Sequence, residues 1–250
     1  MSRRRNGLVA AAALALTSLA TALPASAQAP ERDFLFRTPR VTLGIRGGYA
    51  VARASSDIFD YTRKQLTVDR SDFDAPAFGG QLAMAVTPRV DIAIDLSVAS
   101  TRTRSEFQDW VDNDDLPIEQ ETEFYRVPLT VGFKAYLKDR GRSLGRFAWV
   151  PAQWAPYVGA AGGWVWYKFA QQGDFVDFET LDIFWDRYVS KGTAPTIHVY
   201  GGADWSLSRS VFLTVEARYA WAKADLSRDF VDFDPVDLSG LQGSLGISIR

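Results

Sequence analysis

The sequence predicts an all-β fold, an eight-stranded antiparallel up-and-down transmembrane β-barrel, and three observations predict it. Eight runs of roughly ten residues alternate apolar with small or polar side chains at period 2. The connections between the runs tend to alternate long and short, and the acidic residues gather in the long ones. One parity of the runs is apolar, whereas the other mixes Gly and Ala with a few full charges.

The chain opens on a different pattern. Arg3, Arg4 and Arg5 precede an apolar stretch from Leu8 to Leu23, and Ala25-Ser26-Ala27 is a small-x-small cleavage site. Residues 1–27 therefore read as a cleaved signal peptide. Residues 28–39 read as an N-terminal lead-in and 40–250 as the barrel. The first strand alternates Val41, Leu43, Ile45, Tyr49 and Val51 against Gly44, Arg46 and Ala50. The second sets Phe78, Leu82, Met84 and Val86 against Gly79, Gln81 and Ala83. After Thr87-Pro88-Arg89 the third runs Val90, Ile92, Ile94, Leu96 and Val98 against Asp91, Asp95 and Ser97. The fourth carries Val127, Leu129, Val131, Phe133 and Leu137 against Thr130, Gly132 and Lys134. Residues 155–169 form the fifth, with aromatics and glycines on both parities and its facing left open. The sixth sets Ile197, Val199 and Trp205 against His198, Tyr200 and Asp204. Beyond Ser208-Arg209-Ser210, the seventh sets Val211, Leu213, Val215, Tyr219 and Trp221 against Thr214, Glu216 and Arg218. The eighth ends the chain with Leu241, Leu245, Ile247 and Ile249 against Gln242, Ser244 and Ser248. No amphipathic helix is expected.

Long connections are expected near 53–75, 104–123, 170–195 and 223–238. The link 138–154 is an exception that the pattern does not shorten. Connections of this length are rare in compact domains unless they have work to do. The opposite end is basic, with Arg89, Lys138, Arg140, Arg142, Arg146 and Arg209. The formal net charge of −2 becomes more negative once the three leading arginines are removed, so no nucleic-acid partner is expected. There is no cysteine, so an exported chain of this kind is held by its hydrogen bonds and packing alone.

The charged parity decides between a soluble domain and a membrane barrel. A water-facing sheet surface carries more Lys and Glu and much less Gly. Eight strands enclose a space that side chains just fill, and small residues leave room there for a few large charges to meet. Closure also leaves no edge exposed to lipid. Tyr49, Phe78, Tyr136, Tyr157, Trp205, Tyr219 and Trp221 lie near strand ends, where they are expected to form interfacial belts.

With the signal segment, RVPLTVGFKAYL (126–137), APYVGAAGG (155–163), LTVEARYAW (213–221) and GLQGSLGISIR (240–250), the chain resembles the small outer-membrane β-barrel proteins of Gram-negative bacteria, the OmpA-, OmpX- and OmpW-like class. The resemblance covers the whole mature chain, and its carriers are patterns of alternation. It implies both termini in the periplasm, short periplasmic turns and long extracellular loops. It also implies outer-membrane lipid and lipopolysaccharide as surroundings, and folding by the barrel-assembly machinery. Such barrels usually end on an aromatic residue, whereas this chain ends on Arg250. The expected role is non-enzymatic, structural or surface contact through acidic loops. A narrow conduit for small or apolar molecules is the alternative, and a lipid-modifying enzyme a more distant one.

The candidate site is a lumen charge network of Arg46, Asp91, Asp95, Lys134, His198, Asp204, Glu216 and Arg218. Its functional reading is a charged gate or polar conduit; its simpler reading is a plug of mutually satisfied ion pairs, because an unpartnered interior charge is costly. The single histidine, His198, has no spacing to Ser206 or Asp204 that marks a nucleophile and base, so no catalytic residue is expected. DWVDNDDLPIE (109–119) lacks the glycine and DxDxDG spacing of a calcium loop; pooled loop carboxylates would attract divalent cations weakly at most, and no metal or cofactor is expected. Finally, DFVDF occurs at 174–178 and again at 229–233. Phe175 and Phe178 in one copy and Phe230 and Phe233 in the other are expected to pack two loops together above the membrane.

Overall fold

Alternate side chains along the barrel strands are apolar and point away from the protein. The computed structural model describes residues 34–250 except 113, 146, 147, 178 and 181. The expected signal peptide, part of the expected lead-in and Phe178 therefore lie outside the described residues. The strands are β1 (Val41–Ala52), β2 (Ala75–Ala85), β3 (Val90–Val111), β4 (Pro117–Tyr136), β5 (Trp154–Val176), β6 (Ile183–Ser206), β7 (Val211–Trp221) and β8 (Gly240–Ile249). Each pairs antiparallel with its neighbours in sequence, and β1 pairs with β8, from Leu43 opposite Ile249 to Ala52 opposite Gly240. That makes a closed up-and-down barrel with no free edge.

The outward band is what places this barrel in a membrane. Leu43, Ile45, Phe78, Met84, Ile94, Leu96, Val131, Phe133, Ile197, Val215, Leu245 and Ile247 are all exposed. A ring of exposed large apolar residues of this extent is incompatible with water and fits hydrocarbon. Aromatics border the band: Tyr49, Phe78, Trp154, Trp164, Trp166, Trp205 and Trp221 are exposed. Tyr136 and Tyr157, expected in those belts, are instead buried in the lumen. Their hydroxyls find carboxylate partners inside, and that is where a buried Tyr belongs. In β5 the facing that the sequence left open is now defined. Tyr157, Val165, Tyr167 and Phe169 point inward, while Trp164 and Trp166 point out.

Two stretches expected as loops are largely strand. β3 and β4 stay paired through Arg102–Glu123, Arg104–Glu121 and Glu106–Glu119, and β5 and β6 through Gln172–Arg187 to Val176–Ile183. Above the bilayer the outward face meets water, so Arg102, Arg104, Lys168 and Lys191 replace the apolar residues. The hydrogen-bond ladder continues while the hydrophobic alternation that advertises it stops. These four tall strands are contiguous in the barrel, and β7, β8, β1 and β2, all far shorter, form the other half. The rim is tall on one side and low on the other.

The low side is covered by chain that is not strand. After β1 comes a helix, α1 (Asp57–Gln65), where none was expected. Asp57 and Asp60 sit in its first turn and Arg63 and Lys64 in its last, each favourable to the helix dipole. Ile58, Phe59 and Thr62 make its buried face. Nine residues give too few turns for that stripe to stand out among loop residues. The link after β4 also holds structure, a short hairpin of Gly141–Leu144 with Ala148–Pro151. Leu35 of the lead-in pairs with Trp149 of that hairpin.

Candidate functional site: a lumen blocked at two levels

Inward positions of β1, β3 and β7 bring four charges together in the middle of the barrel. Arg46 bonds Asp95, and its Nη1 lies 3.1 Å from Glu216 Oε1. Arg218 donates to Asp95 at 3.1 Å and to Glu216 at 2.9 Å. Each arginine thus touches both carboxylates. The Tyr157 hydroxyl donates to the other oxygen of Glu216 at 2.9 Å, and the Arg218 guanidinium lies 4.6 Å from the centre of the Tyr200 ring. His198 is buried beside them, its Nε2 3.0 Å from the Thr196 hydroxyl and its Nδ1 3.5 Å from Arg218.

Nearer the short-turn end, Lys134 donates to Asp204 at 2.9 Å. The Tyr136 hydroxyl at 2.8 Å and the Thr214 hydroxyl at 3.0 Å also donate to Asp204. Lys134 lies 3.7 Å from the centre of the Tyr157 ring. Asp91 does not join this pair; Arg140, from the link after β4, reaches back to it at 3.0 Å. The eight predicted lumen residues are therefore all inward, seven of them buried and Arg46 nearly so, but they form three groups instead of one. Tyr136, Tyr157, Tyr200, Thr214 and Arg140 complete those groups; the alternation places Tyr200 and Thr214 on the inward parity without naming them as partners, and it does not place Tyr157 or Arg140 there. Tyr157 was legible in principle: it shares the parity of Gly159 and Ala161, and small neighbours on that parity leave room for a ring. A Cβ at Gly159 would stand 2.4 Å from the Tyr200 ring, and one at Gly202 2.7 Å from the Tyr157 hydroxyl. The glycines make the space that the two tyrosines fill.

The second block lies above, where the tall strands rise out of the membrane. Phe59 is 0% exposed, and its ring centre lies 4.7 Å from Phe73, 5.4 Å from Phe124 and 5.7 Å from Phe169. Ile58, Leu66, Val68, Val165, Tyr167, Val236 and Leu238 complete this core. The inward faces of β4 and β5 thus continue upward as an ordinary hydrophobic core, with α1 pressed onto it as a lid.

The two DFVDF copies differ in structure. Asp174 to Val176 is the end of β5, whereas Asp229 and Phe230 lie in a 3-10 turn, Arg228–Phe230. Phe175 does not touch Phe230 directly; both flank Tyr188, at 4.8 Å and 6.3 Å between ring centres. Phe230 also packs on Phe169 and Phe233, and Phe233 packs on Tyr61 of α1. The Asp229 carboxylate accepts the Val189 N–H at 3.1 Å, and that of Asp177 accepts the Glu179 N–H at 2.8 Å.

A buried carboxylate ties the first loop to the last. Asp237, 1% exposed, accepts from the Ser55 hydroxyl at 2.6 Å and the Ser239 N–H at 3.0 Å, with Arg53 3.8 Å away. Burial pushes this carboxyl up, but those hydrogen bonds outweigh it and hold it below its ordinary value. A depressed carboxyl contributes stability above its unfolded pKa of ~3.9 and loses it as pH falls through the folded value. Amide protection around residues 55 and 237–239, relative to intrinsic exchange, is therefore expected to hold from neutrality to about pH 4 and to fall below it. Asp237→Asn is expected to weaken it already at pH 7; equal protection in both proteins would rule the clamp out.

No protein-family model matches the chain, and no curated protein matches its sequence. Solved structures similar to it include Neisserial surface protein A, 11% identical, with 84% of this chain covering 96% of that one at a TM-score of 0.43. Another is Ail, the attachment invasion locus protein of Yersinia pestis, 12% identical over 84% of this chain and 99% of that one, at 0.43. A third is outer membrane protein W of E. coli, 16% identical over 86% of this chain and 100% of that one, at 0.35. Identities this low leave the activities of those proteins their own, and the fold assignment rests on the closed sheet and its lipid-facing band. The chain is an eight-stranded transmembrane β-barrel.

Proposed function

We propose that this barrel is non-enzymatic and serves at the extracellular face, as a structural or surface-contact protein acting through its acidic loops. The observation that carries the reading is the double block of the lumen. Ion pairs fill it at the level of Arg46 and Glu216, and aromatic rings fill it at the level of Phe59 and Phe124. What remains for contact is the rim. There Leu116, Phe184, Trp185 and Val231 are exposed among Asp109, Asp112, Asp114, Asp182 and Asp186. Apolar side chains held on rigid hairpins within an acidic surround suit contact with another macromolecule.

The second reading, a narrow conduit for small or apolar molecules, draws on the chamber left between the two blocks, lined by Ala50, Ala99, Val165, Ala222 and Leu238. Planar-bilayer recording separates the two. The purified barrel is expected to give no stable conductance steps across a wide voltage range. Reproducible steps that vanish in a lipid-only control would overturn the first reading in favour of the second.

A further inference from the structure

The four buried carboxylates of the lumen match four cations. Asp95 and Glu216 are shared by Arg46 and Arg218, Asp204 holds Lys134, and Asp91 holds Arg140. Arg126 is left over. It is 8% exposed, inward on β4, and among the described residues no carboxylate oxygen lies within 4.0 Å of its guanidinium. Asp74 and Asp237 act on it only from further away. Its Nη1 donates weakly to the Leu238 carbonyl at 3.4 Å, and its Nη2 is buried without a hydrogen-bond partner. The guanidinium lies 4.7 Å from the centre of the Phe124 ring. A buried cation in that state costs several kcal/mol unless something of opposite charge joins it.

Arg126 also lines the chamber between the ionic and aromatic blocks, with Arg218 and His198 below it and Leu238 above. Ser97 and Gln242 line the same space. Its free volume is about 50 Å3. On this measure a void needs only ~10–15 Å3 to admit a water-sized particle. The chamber therefore admits a small ion with a little water.

We propose that this chamber binds a small inorganic anion of the size of chloride, held by the charge of Arg126, with Ser97 and Gln242 as further donors. Position selects the charge. Arg126 and Arg218 both face the space, and the carboxylates that satisfy Arg218 lie on its other side. A monovalent anion balances the one unmatched cation without disturbing the three ion-pair groups. In the sparse water of the chamber its attraction to Arg126 is stronger than at the surface.

The test is thermal unfolding of the full folded barrel in detergent, in chloride and in gluconate at equal ionic strength. Gluconate is a six-carbon anion, far bulkier than chloride. At a chloride concentration about tenfold above its dissociation constant, the midpoint is expected to rise by about 3 °C over gluconate. Arg126→Lys is expected to keep part of that rise and Arg126→Met none of it. Equal midpoints in the two salts for the unsubstituted barrel, or an undiminished rise in Arg126→Met, would overturn the proposal. Should Arg126→Met fail to fold, crystals grown in bromide decide. An anomalous peak beside Arg126 supports the site and its absence removes it.

Discussion

Glu216→Gln lowers the midpoint at which the folded barrel loses its heat resistance by about 10 °C. Glu216 is the carboxylate that Arg46, Arg218 and the Tyr157 hydroxyl all address. Its neutral amide leaves two guanidiniums to share Asp95. Removing one member of a buried ionic set typically costs ~3–5 kcal/mol, because a desolvated charge is left short of a partner. For a domain of this size each kcal/mol moves the midpoint by ~2–4 °C. The double variant Glu216→Gln/Arg218→Met removes a charge of each sign, and is expected to cost less than the sum of the two single changes. The measurement is the temperature dependence of the folded-to-unfolded shift on a detergent gel. Strict additivity, or a midpoint unmoved by Glu216→Gln, would mean that these charges are not mutually dependent.

Phe59→Ala acts at the other block and reads out differently. The ring is fully enclosed by Phe73, Phe124 and Phe169, and truncating a buried Phe costs ~3–5 kcal/mol. Little of the membrane ladder depends on it, so the loss falls on α1 and the loop that carries it. A loss of ~3 kcal/mol raises the open population of that loop roughly a hundredfold. Cleavage by an added protease between residues 53 and 75 is expected to accelerate by that factor, while the heat-resistance midpoint moves less than in Glu216→Gln. Bilayer conductance is expected to stay absent, because the ionic block is untouched. An unchanged cleavage rate would show that the aromatic core does not hold the loop.

The part of this architecture that sits in lipid was legible because lipid enforces alternation. Ile92, Ile94 and Leu96 face out and Asp91 and Asp95 face in, and the sequence states this directly. The same rule made Glu216 and Arg218 readable as interior charges two positions apart. Above the bilayer the enforcing solvent is gone. Arg104 to Glu106 and Glu119 to Glu123 read as polar loop, although they are paired strand, because both of their faces tolerate polar residues. α1 was hidden for a related reason: one turn of buried Ile58 and Phe59 in a short polar segment is below what periodicity can detect. Partners also depend on distance in space. That Arg140 serves Asp91, or that Tyr188 joins Phe175 to Phe230, follows from barrel closure and loop return, and no spacing along the chain encodes either.

The unequal heights of the two halves give the barrel a compass bearing within its leaflet. A cylinder with a level rim looks alike from every side, but here β3 to β6 stand up as a parapet and β7, β8, β1 and β2 end near the bilayer surface. A neighbour gliding in from the parapet side meets sheet, with polar edges such as Arg102 and Lys168 turned toward it. One gliding in from the opposite side meets folded loops, with α1 over their roof. Anything descending from outside strikes the hairpin tips first and is then offered an inclined bed, so its tilt is dictated before a single loop contact forms.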